Sequence, residues 1–198
     1  VQIDTHPPVG FDVLSVDVGI TSDMPALPGF AEHAIPAKPL GPFAARWDSF
    51  RNRTGPANVA IIGGGVSGLA AAKAFDERGH RVTGFERSHD FGGVWELSRS
   101  YPDVQTQSPK DLYCFTDHPM PDDYPEWPKG PQVHAYIHSY AAKHKLGRLY
   151  QLHTDVVGME RRADGKPGWT LTLESAGRTR RQDFDFVAIC TGQFSYKN

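Results

Sequence analysis

A chain of 198 residues with 21 Lys and Arg against 23 Asp and Glu, a formal net charge of −2, has no charge excess to draw it onto nucleic acid or an anionic membrane. That length suffices for one domain with a sizeable core, or one domain plus an appendage. No apolar run is long enough to span a bilayer, and residues 1–10 lack the basic start and apolar core of a secretion signal.

Residues 1–57 read as an N-terminal extension. Residues 11–19 form a strand ending in a Gly turn. Residues 20–42 carry Pro25, Pro28, Pro36, Pro39 and Pro42, too many for a helix or an inner strand. Residues 43–53 suit a short amphipathic helix with Phe43, Trp47 and Phe50 on one face. Residues 54–58 break the pattern as a linker does.

Residues 58–86 organise the remainder. Residues 59–62 are a short, β-branched apolar run, as in a buried parallel strand. Gly63-x-Gly65-x-x-Gly68 follows at once. Residues 69–78 are Ala-rich and unbroken, hence helical, and Gly79 stands where a C-terminal cap belongs. Residues 81–85 are a second strand, ending at Glu86. Gly63 permits the tight turn, Gly65 lets the backbone approach a pyrophosphate, and Gly68 lets the helix pack on the sheet. The helix start offers free N–H groups and partial positive charge to phosphates. Glu86, about twenty residues on, stands where an acid accepts bonds from a ribose. Its charge disfavours a 2′-phosphate, so FAD or NAD suits the site better than NADP. The composite signal predicts a dinucleotide site.

Gly92-Gly93, before Val94 and Trp95, lets a loop pass close to a ligand. Residues 101–129, rich in Pro and aromatics, predict an ordered loop. Residues 131–146 predict a helix, with Gly147 past its end and Val133, Ile137 and Tyr140 as its buried stripe. Residues 150–160, 169–174 and 178–186 predict strands, with turns at Asp164-Gly165 and Ala176-Gly177. Residues 186–190 return as an apolar strand closing at Thr191-Gly192. Residues 11–19 and 184–192 echo each other, which is convergence rather than a repeat. The expected fold is α/β: a Rossmann-like domain over 58–198, with a parallel sheet and a small antiparallel insertion.

Other chemistry is weaker. His134 and His138 lie one helical turn apart, a spacing able to hold a metal. No Glu accompanies them in the His-Glu-x-x-His manner and His144 is out of register, so a solvated polar face with no metal is expected. Ser67 and Ser108 lack a nucleophile elbow. Cys114 and Cys190 have no Cys-x-x-Cys or metal spacing. They read as buried thiols in a reducing compartment, so a cytoplasmic location is expected.

Several separated pieces carry a family resemblance: residues 63–69, 85–87, 91–95 (Phe-Gly-Gly-Val-Trp), 106–111, 115–124 and 190–194. Residues 58–198 resemble the FAD-binding N-terminal part of flavin-containing monooxygenases. The resemblance implies FAD as cofactor and NADPH as co-substrate, with O2 used to oxygenate a soft nucleophile, nitrogen or sulfur, in a small molecule. It implies that Gly63, Gly65, Val66, Ser67 and Gly68 meet the pyrophosphate, that Glu86 holds the adenosine ribose, and that Arg87 is a further cofactor-binding residue. Gly93, Val94 and Trp95 would line the path to the flavin, Val157 would flank adenine, and Thr191-Gly192 would close over the cofactor. Gln107 stands where the family often has Asn beside the reactive edge of the flavin, and is the candidate catalytic residue.

The family's fingerprint motif and second Gly-rich fold would follow residue 198, so no NADPH site is identifiable in this sequence. An NADPH domain elsewhere or a homo-oligomer is the expected partner. Residues 11–53 more weakly resemble NADH-dehydrogenase-like flavoproteins, which suggests a fragment, fusion or remnant. The alternatives to a monooxygenase are a non-catalytic FAD-binding domain and an NAD(P)H:acceptor reductase.

Overall fold

The computed structural model describes residues 55–192. The expectations for residues 1–53, including the strand over 11–19 and the helix over 43–53, lie outside the described residues.

Four strands form a parallel sheet: β1 (Asn58–Ile62), β2 (Arg81–Phe85), β3 (Tyr150–Gln151) and β7 (Phe186–Ile189), in the order β3-β2-β1-β7. β1 pairs in parallel with both β2 and β7, so the chain order reverses at β1. In such a sheet the crevice beyond the C-terminal strand ends at the reversal is where ligands bind. Helix α1 (Val66–Asp76) connects β1 to β2. Its end has a Schellman bond pattern, His80 N–H to Phe75 carbonyl at 3.1 Å and Gly79 N–H to Asp76 carbonyl at 2.9 Å. Gly79 takes φ +79° there, as its placement in the sequence predicts.

A second sheet, β4 (Asp155–Arg161), β5 (Trp169–Ser175) and β6 (Arg178–Phe184), is antiparallel. The Ala176-Gly177 turn has both residues at positive φ, the conformation a tight hairpin requires. Alternation along β1 joins the layers. Val59 and Ile61 face a core with Leu69 and Ala72 of α1 and with Val133, Ile137 and Tyr140 of helix α2 (Gly130–Lys143). Ala60 faces the other way, with Phe85, onto Leu171, Leu173 and Phe184 of the antiparallel sheet. Phe85 and Phe184 meet edge-on at 5.8 Å. The α/β Rossmann-like fold with an antiparallel insertion is thus the observed one.

Three boundaries differ from expectation. The strand expected over 150–160 is two strands in different sheets. It breaks where His153 takes φ +50° and its N–H bonds the Ser88 carbonyl at 3.0 Å. The strand expected over 178–186 divides at Asp185, where the chain passes from one sheet to the other. There Asn58 N–H donates to the Asp185 carboxylate at 2.7 Å, and Asp185 N–H to the Asn58 carbonyl at 2.9 Å. The second long helix ends at Lys143, not Leu146. Lys145 turns left-handed at φ +53°, and Leu146–Leu149 is a separate 3-10 turn holding Gly147. Leu146 and Leu149 are both buried after that reversal.

Tyr150 lies under the glycine turn. A Cβ on Gly84 would stand 2.4 Å from its ring. Gly84→Ala is therefore expected to destabilise the domain by roughly 1–3 kcal/mol through overpacking. Urea unfolding checks this, and an unchanged midpoint would refute the packing assignment.

Candidate functional site

The site begins where β1 ends. Gly63 takes φ +109°, and its N–H donates to the Phe85 carbonyl at 2.8 Å. A Cβ there would lie 2.5 Å from the Cys190 carbonyl oxygen. A Cβ on Gly68 would come 1.9 Å from the Gly63 carbonyl oxygen, so helix and strand can approach this closely only with glycine. The N-cap of α1 is Gly65, with no side-chain cap and no acid in the first turn. Among the described residues, the N–H groups of Val66, Ser67 and Gly68 donate to no acceptor, and Val66 and Ser67 are exposed. This is an unsatisfied, electropositive helix start open to solvent.

The loop after β2 comes back over this turn. Gly92 N–H bonds the Gly64 carbonyl at 3.1 Å. Gly93 faces Gly65 closely: a Cβ on Gly93 would stand 3.2 Å from Gly65 Cα. Two residues without side chains thus flank the helix start. Glu86 is buried at the rim. Its Oε2 accepts from Gly64 N–H at 2.6 Å and its Oε1 from Ser88 N–H at 2.8 Å. A carboxylate offers about four acceptor positions, so two remain for hydroxyl donors.

Support comes from below. Tyr150 donates its hydroxyl to the Gly63 carbonyl at 3.3 Å and meets Phe91 edge-on at 5.1 Å. Burial pushes its phenol well above the usual value, so it remains a neutral donor. Sequence reasoning missed Tyr150 because nothing in its neighbourhood marks a contact with a turn so far away in the chain. Burial also raises the Cys190 thiol, which favours the packed, unreactive reading of that residue.

The other expected residues are placed variously. Trp95 is buried, and its indole N–H donates to the Tyr113 hydroxyl at 2.9 Å, which fixes the Gly93–Trp95 turn to the core. Val94 is exposed beside it. Arg87 is exposed and lines an open cleft of about 620 Å³ with Arg99, His153, Glu174 and the β5–β6 turn. Val157 is exposed at a bulge in β4. Thr191 and Gly192 are exposed beyond β7, and Thr191 N would lie 3.5 Å from a Cβ on Gly63. Gln107 is exposed, next to the buried Thr106.

Of the solvated polar face expected at His134 and His138, His134 is largely buried, with 13% of its side chain exposed, whereas His138 keeps 40% exposed; both stand beside Asp90 of the loop after β2.

Similarity to known proteins follows this geometry. The profile of a family described as "FMO-like: Flavin-binding monooxygenase-like" matches residues 56–198. The chain belongs to the flavin-binding monooxygenase-like family. It is 37% identical over 150 residues to flavin-containing monooxygenase 3 of Canis lupus familiaris, covering 71% of this chain and 28% of that protein. It is 40% identical over 152 residues to a human putative dimethylaniline monooxygenase (N-oxide-forming) 6, again covering 28% of the relative. Among solved structures, an S-allyl-L-cysteine S-oxygenase from Allium sativum matches with TM-score 0.63 and 25% identity, over 70% of this chain and 37% of that one. A cyclohexanone monooxygenase matches in fold with TM-score 0.63, at 22% identity, over 73% of this chain and 29% of that one. The flavin-binding monooxygenase-like segment therefore spans under a third of the curated relatives it matches. Among its described residues no helix is long and apolar enough to cross a membrane.

Proposed function

We propose that residues 56–198 are the FAD-binding part of a flavin-dependent monooxygenase that uses NADPH and O2 to oxygenate nitrogen or sulfur in a small molecule. One observation carries the reading: an uncapped, acid-free helix start flanked by bare Gly65 and Gly93, with Glu86 fixed at its rim. That arrangement fits the pyrophosphate and adenosine ribose of FAD.

In this reading the N–H groups of Val66, Ser67 and Gly68 hold the pyrophosphate, with Gly63 and Gly65 keeping side chains out of its way. The free acceptor positions of Glu86 bind the ribose, and Arg87 and Val157 border the adenosine. Gly93, Val94 and Trp95 shape the path to the flavin ring, Thr191 and Gly192 close over it, and Gln107 presents its amide to the reactive edge. When bound, the flavin supplies the redox chemistry, and the protein orients it and excludes water. The described residues hold one Gly-x-Gly-x-x-Gly turn opening a helix, so the reading assigns NADPH to a further domain or a second copy. The two free cysteines support a cytoplasmic setting.

The test is direct. The purified chain is expected to bind FAD and turn yellow; NADPH is then added in air and its oxidation followed. Bound FAD with no NADPH consumption, even with the relatives' remaining domains supplied, would favour a non-catalytic flavin-binding domain. A folded chain that takes up no FAD would overturn the proposal.

A further inference from the structure

Behind the Gly92-Gly93 loop lies a cluster the flavin reading does not use. Helix α2 carries His134 and His138 on successive turns, and the loop after β2 brings Asp90 to both. His134 Nε2 stands 3.2 Å from Asp90 Oδ2, and His138 Nε2 stands 3.0 Å from Asp90 Oδ1. The three ligand atoms lie within 4.8 Å of one another. Around a tetrahedral ion with bonds of about 2.0–2.1 Å, neighbouring ligand atoms stand about 3.3 Å apart. Each nitrogen–oxygen separation is close to that edge, one to each oxygen of the carboxylate.

The local environment suits a cation more than an ion pair. Both Nε2 atoms are sealed from solvent, yet neither makes a hydrogen bond. The carboxylate stands at ion-pair distance from each ring nitrogen without forming a hydrogen bond to it. Asp90 is itself oriented, because Phe91 N–H donates to its Oδ1 at 2.9 Å. A hydrogen-bonded carboxylate ligand is what a metal site uses to fix its geometry.

We propose that Asp90, His134 and His138 bind one divalent first-row transition metal, with zinc as the reference ion. Two imidazoles and a carboxylate suit zinc, and three protein ligands leave a fourth position to water. The site is a clamp rather than a reaction centre. A Cβ on Gly92 would lie 3.0 Å from His134 Cδ2, so the loop packs directly on the ligand, and the open cleft near Arg87 is lined by other residues. The metal ties α2 to the loop that carries Gly93 against Gly65. It stiffens one wall of the cradle without touching the ligand held there, and the proposal stands whether or not the cradle holds FAD.

The experiment uses the full chain, stripped of metal with a chelator and free of any affinity tag. Cobalt(II) and zinc(II) are titrated in turn, following the visible d–d absorption of cobalt and the melting temperature with zinc. The expected result is one equivalent bound, with tetrahedral cobalt bands that zinc displaces and a melting temperature that rises with zinc. Asp90→Asn and His138→Gln are expected to weaken binding about tenfold or more while remaining folded by circular dichroism. His144→Gln, outside the cluster, is expected to bind as the parent does. No cobalt bands and no zinc-dependent shift would overturn the proposal. So would unchanged binding in folded His138→Gln, or loss of binding in His144→Gln alone.

Discussion

Replacing Gly68 with alanine is expected to weaken FAD binding by about 100-fold or more. The added Cβ would stand 1.9 Å from the Gly63 carbonyl oxygen, a backbone atom fixed by the strand it terminates. The helix start must then move away from β1, and its N–H groups move with it. A charge-assisted hydrogen bond contributes about 1.5–3 kcal/mol, and each 1.4 kcal/mol is tenfold in affinity, so losing one or two such bonds accounts for the change. Overpacking adds roughly 1–3 kcal/mol of destabilisation in the ligand-free protein. Titration by flavin fluorescence measures the affinity. Gly147→Ala is the control, since a Cβ there meets nothing within 4 Å and both properties should be unchanged. Equal FAD affinity in folded Gly68→Ala would remove the pyrophosphate assignment.

The second large effect is expected at Glu86. Its carboxylate satisfies two backbone donors, Gly64 N–H in the buried turn and Ser88 N–H in a half-buried position. Glu86→Ala leaves both without a partner. An unmatched buried donor costs about 1–3 kcal/mol, and water can reach Ser88 in part, so a loss of roughly 2–4 kcal/mol is expected before any ligand is considered. Glu86→Gln keeps one acceptor and turns an N–H2 towards the other donor, so its stability should fall between the two. Denaturant unfolding of the flavin-free protein ranks the three. If Glu86→Ala is as stable as the parent, the carboxylate does not hold the turn.

The βαβ unit was legible in the sequence because its determinants are local. Residue type alone explains the apolar run before Gly63, the unbroken Ala-rich helix and Gly79 at its end. What was missed depends on partners distant in the chain. Residues 150–155 carry no Gly or Pro to mark a break, and His153, though a residue type enriched at positive φ, is too weak a signal by itself. The break arises because Tyr150 pairs with β2 while Val156 joins the antiparallel sheet. Asp185 divides an otherwise continuous strand for a similar reason, through its bonds to Asn58. The helix was read as far as Leu146 because Gly147, the usual signal for a stop, follows it, yet Lys145 makes the reversal and Leu146 is buried after it. In the site, the glycines and Glu86 were readable from spacing. Tyr150 and Asp90 were not, because their roles appear only once the sheet and α2 bring them to the turn and to the histidines.

The reciprocal bonds between Asn58 and Asp185 also bear on how the chain reaches its fold. The β5–β6 hairpin closes a two-residue turn and can form early, at little entropic cost. β7 must find β1 from the opposite end of the domain, and pairings of such high sequence separation are the slow ones in a topology. Because Asp185 directly follows β6, a completed hairpin delivers β7 to β1 in register, with the carboxylate docking on the first residue of that strand. The same hairpin that covers one face of the parallel sheet therefore also guides its last strand into place.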